Sequence, residues 1–379
     1  MKKTENDFIL ELCKFIDPDK SRLEALMMQP LDYPYILGQL LYNRIGGVAY
    51  FTLRKCELLG KLNREFTNTL KAIYDQNLTK AQSFHSCLSM LSDILENSNF
   101  NYAILKGGYL VSLYEPGLRT SNDLDVLIHS NNIAKLSKKL KANGFLQGNI
   151  QNGKFTTAAR EKIISSRMNR GETVPFIKKV DLPGMEYMEV DINFSLDFKA
   201  KQENDVVEKL LSHTEKLSDN GLFTFSKEDF LIHLCVHLFK EATIMNWVEM
   251  GRDLSLYKFC DIYLFAQKFI DLSFADKLVQ KINEYRLCNE CYYTLTNVRT
   301  LFNIKNYILD KIIKDIQPEN LEFMNQIINP TTKEAYFYNM DFTDWVFCPN
   351  RKEHIYALAD ETAQYPGNSH YLLRFGRVR

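Results

Sequence analysis

Asp123 and Asp125 stand one residue apart in the run Asp123-Leu-Asp-Val-Leu-Ile. Alternate residues of a strand project from the same face, so both carboxylates point one way while Leu124 points into a core. Two like charges held this close raise each other's pKa unless a cation lies between them. A divalent ion relieves that repulsion. Oxygen donors suit Mg²⁺, with Mn²⁺ as the near alternative. The plainer reading is an exposed edge strand with two solvated acids.

Neighbouring residues extend this chemistry. Upstream, Lys106-Gly107-Gly108 breaks an apolar run at a strand-to-helix turn. Paired glycines let a backbone approach a phosphate closely, and the helix that follows starts with outward N–H groups. Gly117-Leu-Arg119-Thr-Ser-Asn122 precedes the acidic strand. Arg119 would set a cation beside that phosphate, or else pair with one of the acids. A third acid comes from Glu186-Tyr-Met-Glu-Val-Asp-Ile-Asn-Phe-Ser. On a strand, Tyr187, Glu189, Asp191 and Asn193 share one face, and Val190, Ile192 and Phe194 the other. An acid in mid-strand between buried β-branched residues is costly without a partner. Asp191, the more central, is the favoured third carboxylate, and Glu189 is its competitor.

These side chains need elements to hold them. Residues 1–98 read as an N-terminal helical region, clearest from Leu62 to Leu95, where apolar residues recur at three and four. The period then changes. Asn101-Tyr-Ala-Ile-Leu has strand length, Tyr109 to Tyr114 reads as a short helix, and Asp123 to Ile128 is a second strand. Ile133 to Ala142 is an amphipathic helix stopped by Asn143-Gly144. Thr173 to Val180 and Glu186 to Ser195 read as two strands around the turn Asp181-Leu-Pro-Gly184. Residues 99–200 therefore form an α/β core. Beyond Phe198 the pattern turns helical again, giving a helical domain over 201–330, with Ser226 as an N-cap and Asp229 at the third helical position. Residues 331–379 are a mixed tail that ends in the basic Arg374-Phe-Gly-Arg-Val-Arg379. The expected class is α+β, a mixed sheet with helices flanked by helical regions.

The run Leu105-Lys-Gly-Gly, Tyr114, Gly117-Leu-Arg119 and Asp123-Leu-Asp-Val-Leu-Ile resembles the polymerase β-like nucleotidyltransferase superfamily. It is most similar to an uncharacterised bacterial branch that opens with Leu-Lys-Gly and has a later strand of type Val-Asp-apolar-His. Val190-Asp191-Ile192-Asn193 fits that strand, with Asn193 where His is common. The resemblance covers residues 99–262 in outline and is specific over 104–128. It implies that Gly107 and Gly108 hold a nucleoside triphosphate, that Asp123 and Asp125 bind two Mg²⁺, and that Asp191 completes the second metal site and helps deprotonate an acceptor hydroxyl. Lys106 and Arg119 would add positive charge as negative charge shifts to the leaving group. In related enzymes a helical-domain Lys reaches the triphosphate, and Lys258 sits in a matching context. The implied reaction moves an NMP group from an NTP, with ATP the expected donor, to a hydroxyl of a small molecule, a peptide or protein, or an RNA end, releasing pyrophosphate. The alternatives are a non-catalytic nucleotide-binding or partner module, and a phosphotransferase using the same metal site.

Other features bound the reading. The 379 residues carry 47 Lys and Arg against 47 Asp and Glu, a balance that argues against a long nucleic-acid track. Residues 151–180 depart from it, with seven Lys or Arg against two acids, and read either as a lid over the acceptor or as a solvated loop. His233 and His237 share a helix face, for packing more readily than for zinc. Cys288 and Cys291 read as two thiols on a helix, since no second half of a zinc site matches them. The eight cysteines are scattered, which fits reduced thiols in a cytoplasmic protein. The N-terminus does not read as a signal peptide, and no 18 apolar residues run together, so no membrane span is expected.

Overall fold

In the computed structural model the periodicities become elements, and the structure describes residues 2–169, 171–196 and 205–357. Arg170 of the basic stretch, the start of the helical return at Phe198 and the basic end Arg374–Arg379 lie outside the described residues. Helices α1 (Lys3–Leu12), α2 (Lys20–Met27), α3 (Tyr33–Tyr42) and α4 (Gly46–Lys55) precede the long α5 (Arg64–Leu95). Strand β1 (Tyr102–Ile104), α6 (Gly107–Leu113), β2 (Asp123–Ile128) and α7 (Ile133–Ala142) follow. Next come β3 (Leu146–Gln151), β4 (Lys154–Thr157), α8 (Arg160–Asn169), β5 (Phe176–Leu182) and β6 (Met185–Asn193). Then come α9 (Asp205–Ser212), β7 (Thr214–Lys216), β8 (Phe223–Phe225) and α10 (Lys227–Thr243). The last elements are α11 (Met245–Glu249), α12 (Leu256–Phe269), α13 (Leu272–Tyr285), α14 (Cys288–Leu301), α15 (Tyr307–Asp315), β9 (Gln326–Ile328), β10 (Ala335–Tyr338), α16 (Phe342–Phe347) and β11 (Ile355–Ala357).

The chain divides into two compact units: Lys71–Phe230, and Met1–Leu70 together with Leu231–Arg379. The unit Lys71–Phe230 is built on a mixed six-stranded sheet of order β1-β2-β6-β5-β3-β4. β2 and β6 run parallel, and the other described pairings of this sheet are antiparallel. One sheet face is apolar. Leu124, Val126, Val190 and Ile192 form a single core with Phe84, Leu88 and Leu91 of α5 and Leu136 and Leu140 of α7. Each such side chain, fully buried, contributes roughly 1.5–3 kcal/mol. That gain fixes the strand register, because a one-residue slip would turn every apolar residue of β6 outward.

α5 holds the loops as well as the core. The Asn77 amide donates to the Gly117 carbonyl (3.2 Å), Lys80 binds Asn122, and the Ser83 hydroxyl donates to the Pro183 carbonyl at the β5–β6 turn (2.7 Å). Gly117 has φ +88°, and a Cβ there would lie 2.7 Å from the Tyr74 ring, so both backbone and space call for glycine. Ser226 caps α10 as expected: its hydroxyl bonds the Asp229 carboxylate (2.8 Å) and accepts from the Asp229 amide (3.4 Å).

The basic stretch differs from the solvated loop that is one of its two readings in the sequence. It folds into β4, which pairs with β3, then α8 and most of β5. The hairpin β7–β8 likewise interrupts a region read as helical. The other unit is mainly helical, with a small sheet of order β11-β10-β9. There Arg351 binds Asp253 through two nitrogens (2.7 and 2.6 Å) and donates to the Val346 and Cys348 carbonyls (3.1 Å each). No described helix is long and apolar enough to cross a membrane.

Candidate active site

The acidic residues meet because β2 and β6 are parallel neighbours. Their register sets Asp123 beside Glu189 and Asp125 beside Asp191. Burial alternates along β6, with Met188, Val190 and Ile192 buried and Tyr187, Glu189, Asp191 and Asn193 only partly so. Four carboxylates therefore share the sheet face opposite the apolar core. Asp125 is 7% exposed.

A carboxylate buried this deeply needs partners. The Lys106 ammonium lies 3.2 Å from Asp125, and the Asn193 amide donates to Asp125 Oδ1 at 3.0 Å. Lys106 occupies the turn between β1 and α6 with φ +42° and ψ −116°, a conformation that costs about 1–3 kcal/mol in a non-glycine residue. Such strain persists where surrounding contacts over-determine it. The Leu105 amide donates to the Asp125 carbonyl (2.9 Å) and so ties the turn to β2.

Gly107 is required by a close approach. A Cβ at this position would overlap the Ser121 side chain. The Ser121 hydroxyl in turn donates to Asp123, to its carboxylate at 3.2 Å and its carbonyl at 3.3 Å. The glycine turn, the 117–122 loop and the first acid thus form one packed cluster. Gly108 is tight as well, since a Cβ would sit 3.3 Å from Ile104. Arg119 lies on the same loop, and its guanidinium donates to the Thr120 carbonyl.

Electrostatics follow from this crowding. Burial pushes the Glu189 carboxyl up from 4.5 to about 7, and the charges of Asp123 and Asp125 add to the shift. Asp191 is raised well above the usual aspartate range, first by burial and then by Asp125, Glu189, Asp123 and Glu172. Excess negative charge on one face of a sheet is what a divalent cation relieves, and carboxylate oxygens are the hard donors that Mg²⁺ and Mn²⁺ prefer. Among the described residues, no three His, Cys, Asp or Glu side chains already close round a common point. The fit rests on donor type and charge.

The structure thus brings Lys106, Gly107, Gly108, Arg119, Asp123, Asp125 and Asp191 into one region of the unit Lys71–Phe230. Lys258 lies on α12 in the other unit. Its ammonium pairs with Glu241 and donates to the Arg252 carbonyl at 2.9 Å. Two residues beyond the expected set join the acids. Glu189, the competitor of Asp191, stands beside Asp123. Asn193 was visible in the sequence as a member of the acid face and as a departure from the family's usual His, and its bond to Asp125 depends on strand pairing. His233 and His237 stack at 6.3 Å between centroids, and His237 lies 3.5 Å from Glu241. Cys291 is buried against Cys235, and burial and this neighbour raise its thiol pKa.

No curated protein matches the chain. A solved structure, that of an antigenic nucleotidyltransferase-like protein from Paracoccidioides brasiliensis, is similar at 16% identity and a TM-score of 0.31. The similarity covers 56% of this chain and 91% of that one. The family model described as uncharacterised nucleotidyltransferase matches residues 30–303, which takes in every strand and loop of the acidic site. This chain belongs to that nucleotidyltransferase family.

Proposed function

We propose that the protein transfers an NMP group from an NTP, ATP being the expected donor, to an acceptor hydroxyl with release of pyrophosphate. The observation that carries this reading is the β2–β6 register, which gathers Asp123, Asp125, Glu189 and Asp191 on one face beside Lys106. Asp123, Asp125 and Asp191 would hold Mg²⁺ or Mn²⁺. Bound divalent ions supply charge neutralisation of the triphosphate and a lowered pKa for an attacking oxygen.

The chain's own groups account for the remaining steps. The acceptor oxygen attacks the α-phosphorus, and the bond from that phosphorus to the α–β bridging oxygen breaks. Asp191, a carboxylate on the same face as the other acids, takes the hydroxyl proton. Pyrophosphate leaves with the bonding pair. Lys106 and Arg119 contribute positive charge to the departing phosphates, with Gly107 and Gly108 in the turn that follows Lys106.

The test uses each NTP labelled at the α-phosphorus, Mg²⁺, and a soluble cell extract as the acceptor source. Wild type is expected to transfer the label and release pyrophosphate. Asp123→Ala with Asp125→Ala is expected to remove both activities while the far-ultraviolet circular dichroism stays unchanged. A folded double variant as active as wild type would sink the assignment. Transfer of a γ-label instead would make the protein a phosphotransferase.

A further inference from the structure

Within the basic stretch 151–180, Glu172 borders the acidic face, and its cations help to build a second feature. A groove of about 700 Å³ lies between α7 and α8. Its apolar walls include Ile133, Ala134 and Ile163, and Lys138, Lys141 and Arg167 also line it. Among the described residues, no Asp or Glu lines the groove. Lys138 and Lys141 are one helical turn apart on α7, so they face the same way. All three cations are exposed. The volume lies in the range of small-molecule pockets.

A second observation points to a ligand. Thr173, another lining residue, is 3% exposed, and its buried hydroxyl has no hydrogen-bond partner among the described residues. A buried hydroxyl without a partner is uncommon, because it forfeits the hydrogen bonds that water would give it. A ligand oxygen in the groove would supply one.

The two sites are on different sides of the chain. Glu172 pairs with Asn193 across the strands and so shares the acid face. Thr173 follows it and points the other way. Its amide donates to the Ile192 carbonyl (2.9 Å), so the groove borders the strand that carries Asp191 without being part of the acidic site.

We propose that this groove is a second binding site, for a phosphomonoester on a small apolar body. Three cations suit a dianion better than a carboxylate, Thr173 adds a neutral donor, and the aliphatic walls take the organic part.

Phenyl phosphate is a suitable probe, with phenol as the uncharged control. Binding is followed by calorimetry on the full chain, free of NTP. Phenyl phosphate is expected to bind and phenol not to. Lys138→Gln with Lys141→Gln and Arg167→Gln should weaken binding about tenfold or more. Thr173→Val, nearly the same shape, should weaken it several-fold without lowering the melting temperature. Both variants should keep wild-type pyrophosphate release. The proposal fails if phenyl phosphate does not bind, or if the folded triple-Gln variant binds it as wild type does. It also fails if Asp123→Ala with Asp125→Ala removes the binding, which would place the probe in the acidic site.

Discussion

At the scale of residues, the shifted carboxyls make a pH prediction. Glu189 titrates near 7 in the folded chain and near 4.5 when exposed. Its folded-state pKa is raised, so its contribution is fully favourable below about 4.5 and is lost as pH rises through about 7. The loss is on the order of 3 kcal/mol at most. Metal-free wild type should therefore lose melting temperature between pH 4.5 and 7 relative to Glu189→Gln, and added Mg²⁺ should shrink the difference. Parallel pH curves for the two proteins would contradict the electrostatic description. The acid face itself was legible in the sequence, because period-two alternation needs only a local pattern. The partners were not. Asp125 meets Asp191 and Asn193 through a parallel pairing between residues more than sixty positions apart, and no local pattern specifies it.

At the scale of elements, the packing of the Gly107 turn on the 117–122 loop can be tested by exchange. Gly107→Ala should destabilise the protein by about 1–3 kcal/mol, because the new methyl overlaps Ser121. Ser121→Gly removes the obstructing side chain and should restore much of that stability, read as the denaturant midpoint. No rescue would mean that another contact fixes the turn. Elements with strong periodicity were legible: α5 and α7 appear where their apolar spacing predicts. β3, β4 and α8 were not. The burial pattern of β4 shows no buried residue, and most of α8 is exposed, so neither carries a clear apolar period. Their charge pattern was visible, but the groove it helps to line was not.

At the scale of the molecule, the unit Met1–Leu70 with Leu231–Arg379 joins segments that are remote in the chain, and no composition shift marks such a grouping. Within this unit the Arg351–Asp253 pair ties the segment after α16 to the loop before α12. Asp253 is fully buried, so Arg351→Ala leaves a charge without its counter-ion and should destabilise the protein by about 3–5 kcal/mol. Replacing both residues, Arg351→Met with Asp253→Leu, should recover part of that loss in thermal denaturation. Equal losses in the single and double variants would show that the pair's geometry, and not the stranded charge, dominates.

If the β2–β6 register makes a divalent-cation site of Asp123, Asp125 and Asp191, the metal-free protein should take up a divalent ion there. Mn²⁺ binding to metal-free protein, with the free ion counted by electron paramagnetic resonance, tests it most directly. Wild type should bind Mn²⁺ more tightly when a non-hydrolysable NTP is present. Asp125→Asn with Asp191→Asn, which preserves shape while removing two charges, should lose most of that affinity. Unchanged Mn²⁺ affinity in the folded double variant would mean that these carboxylates do not hold the ion.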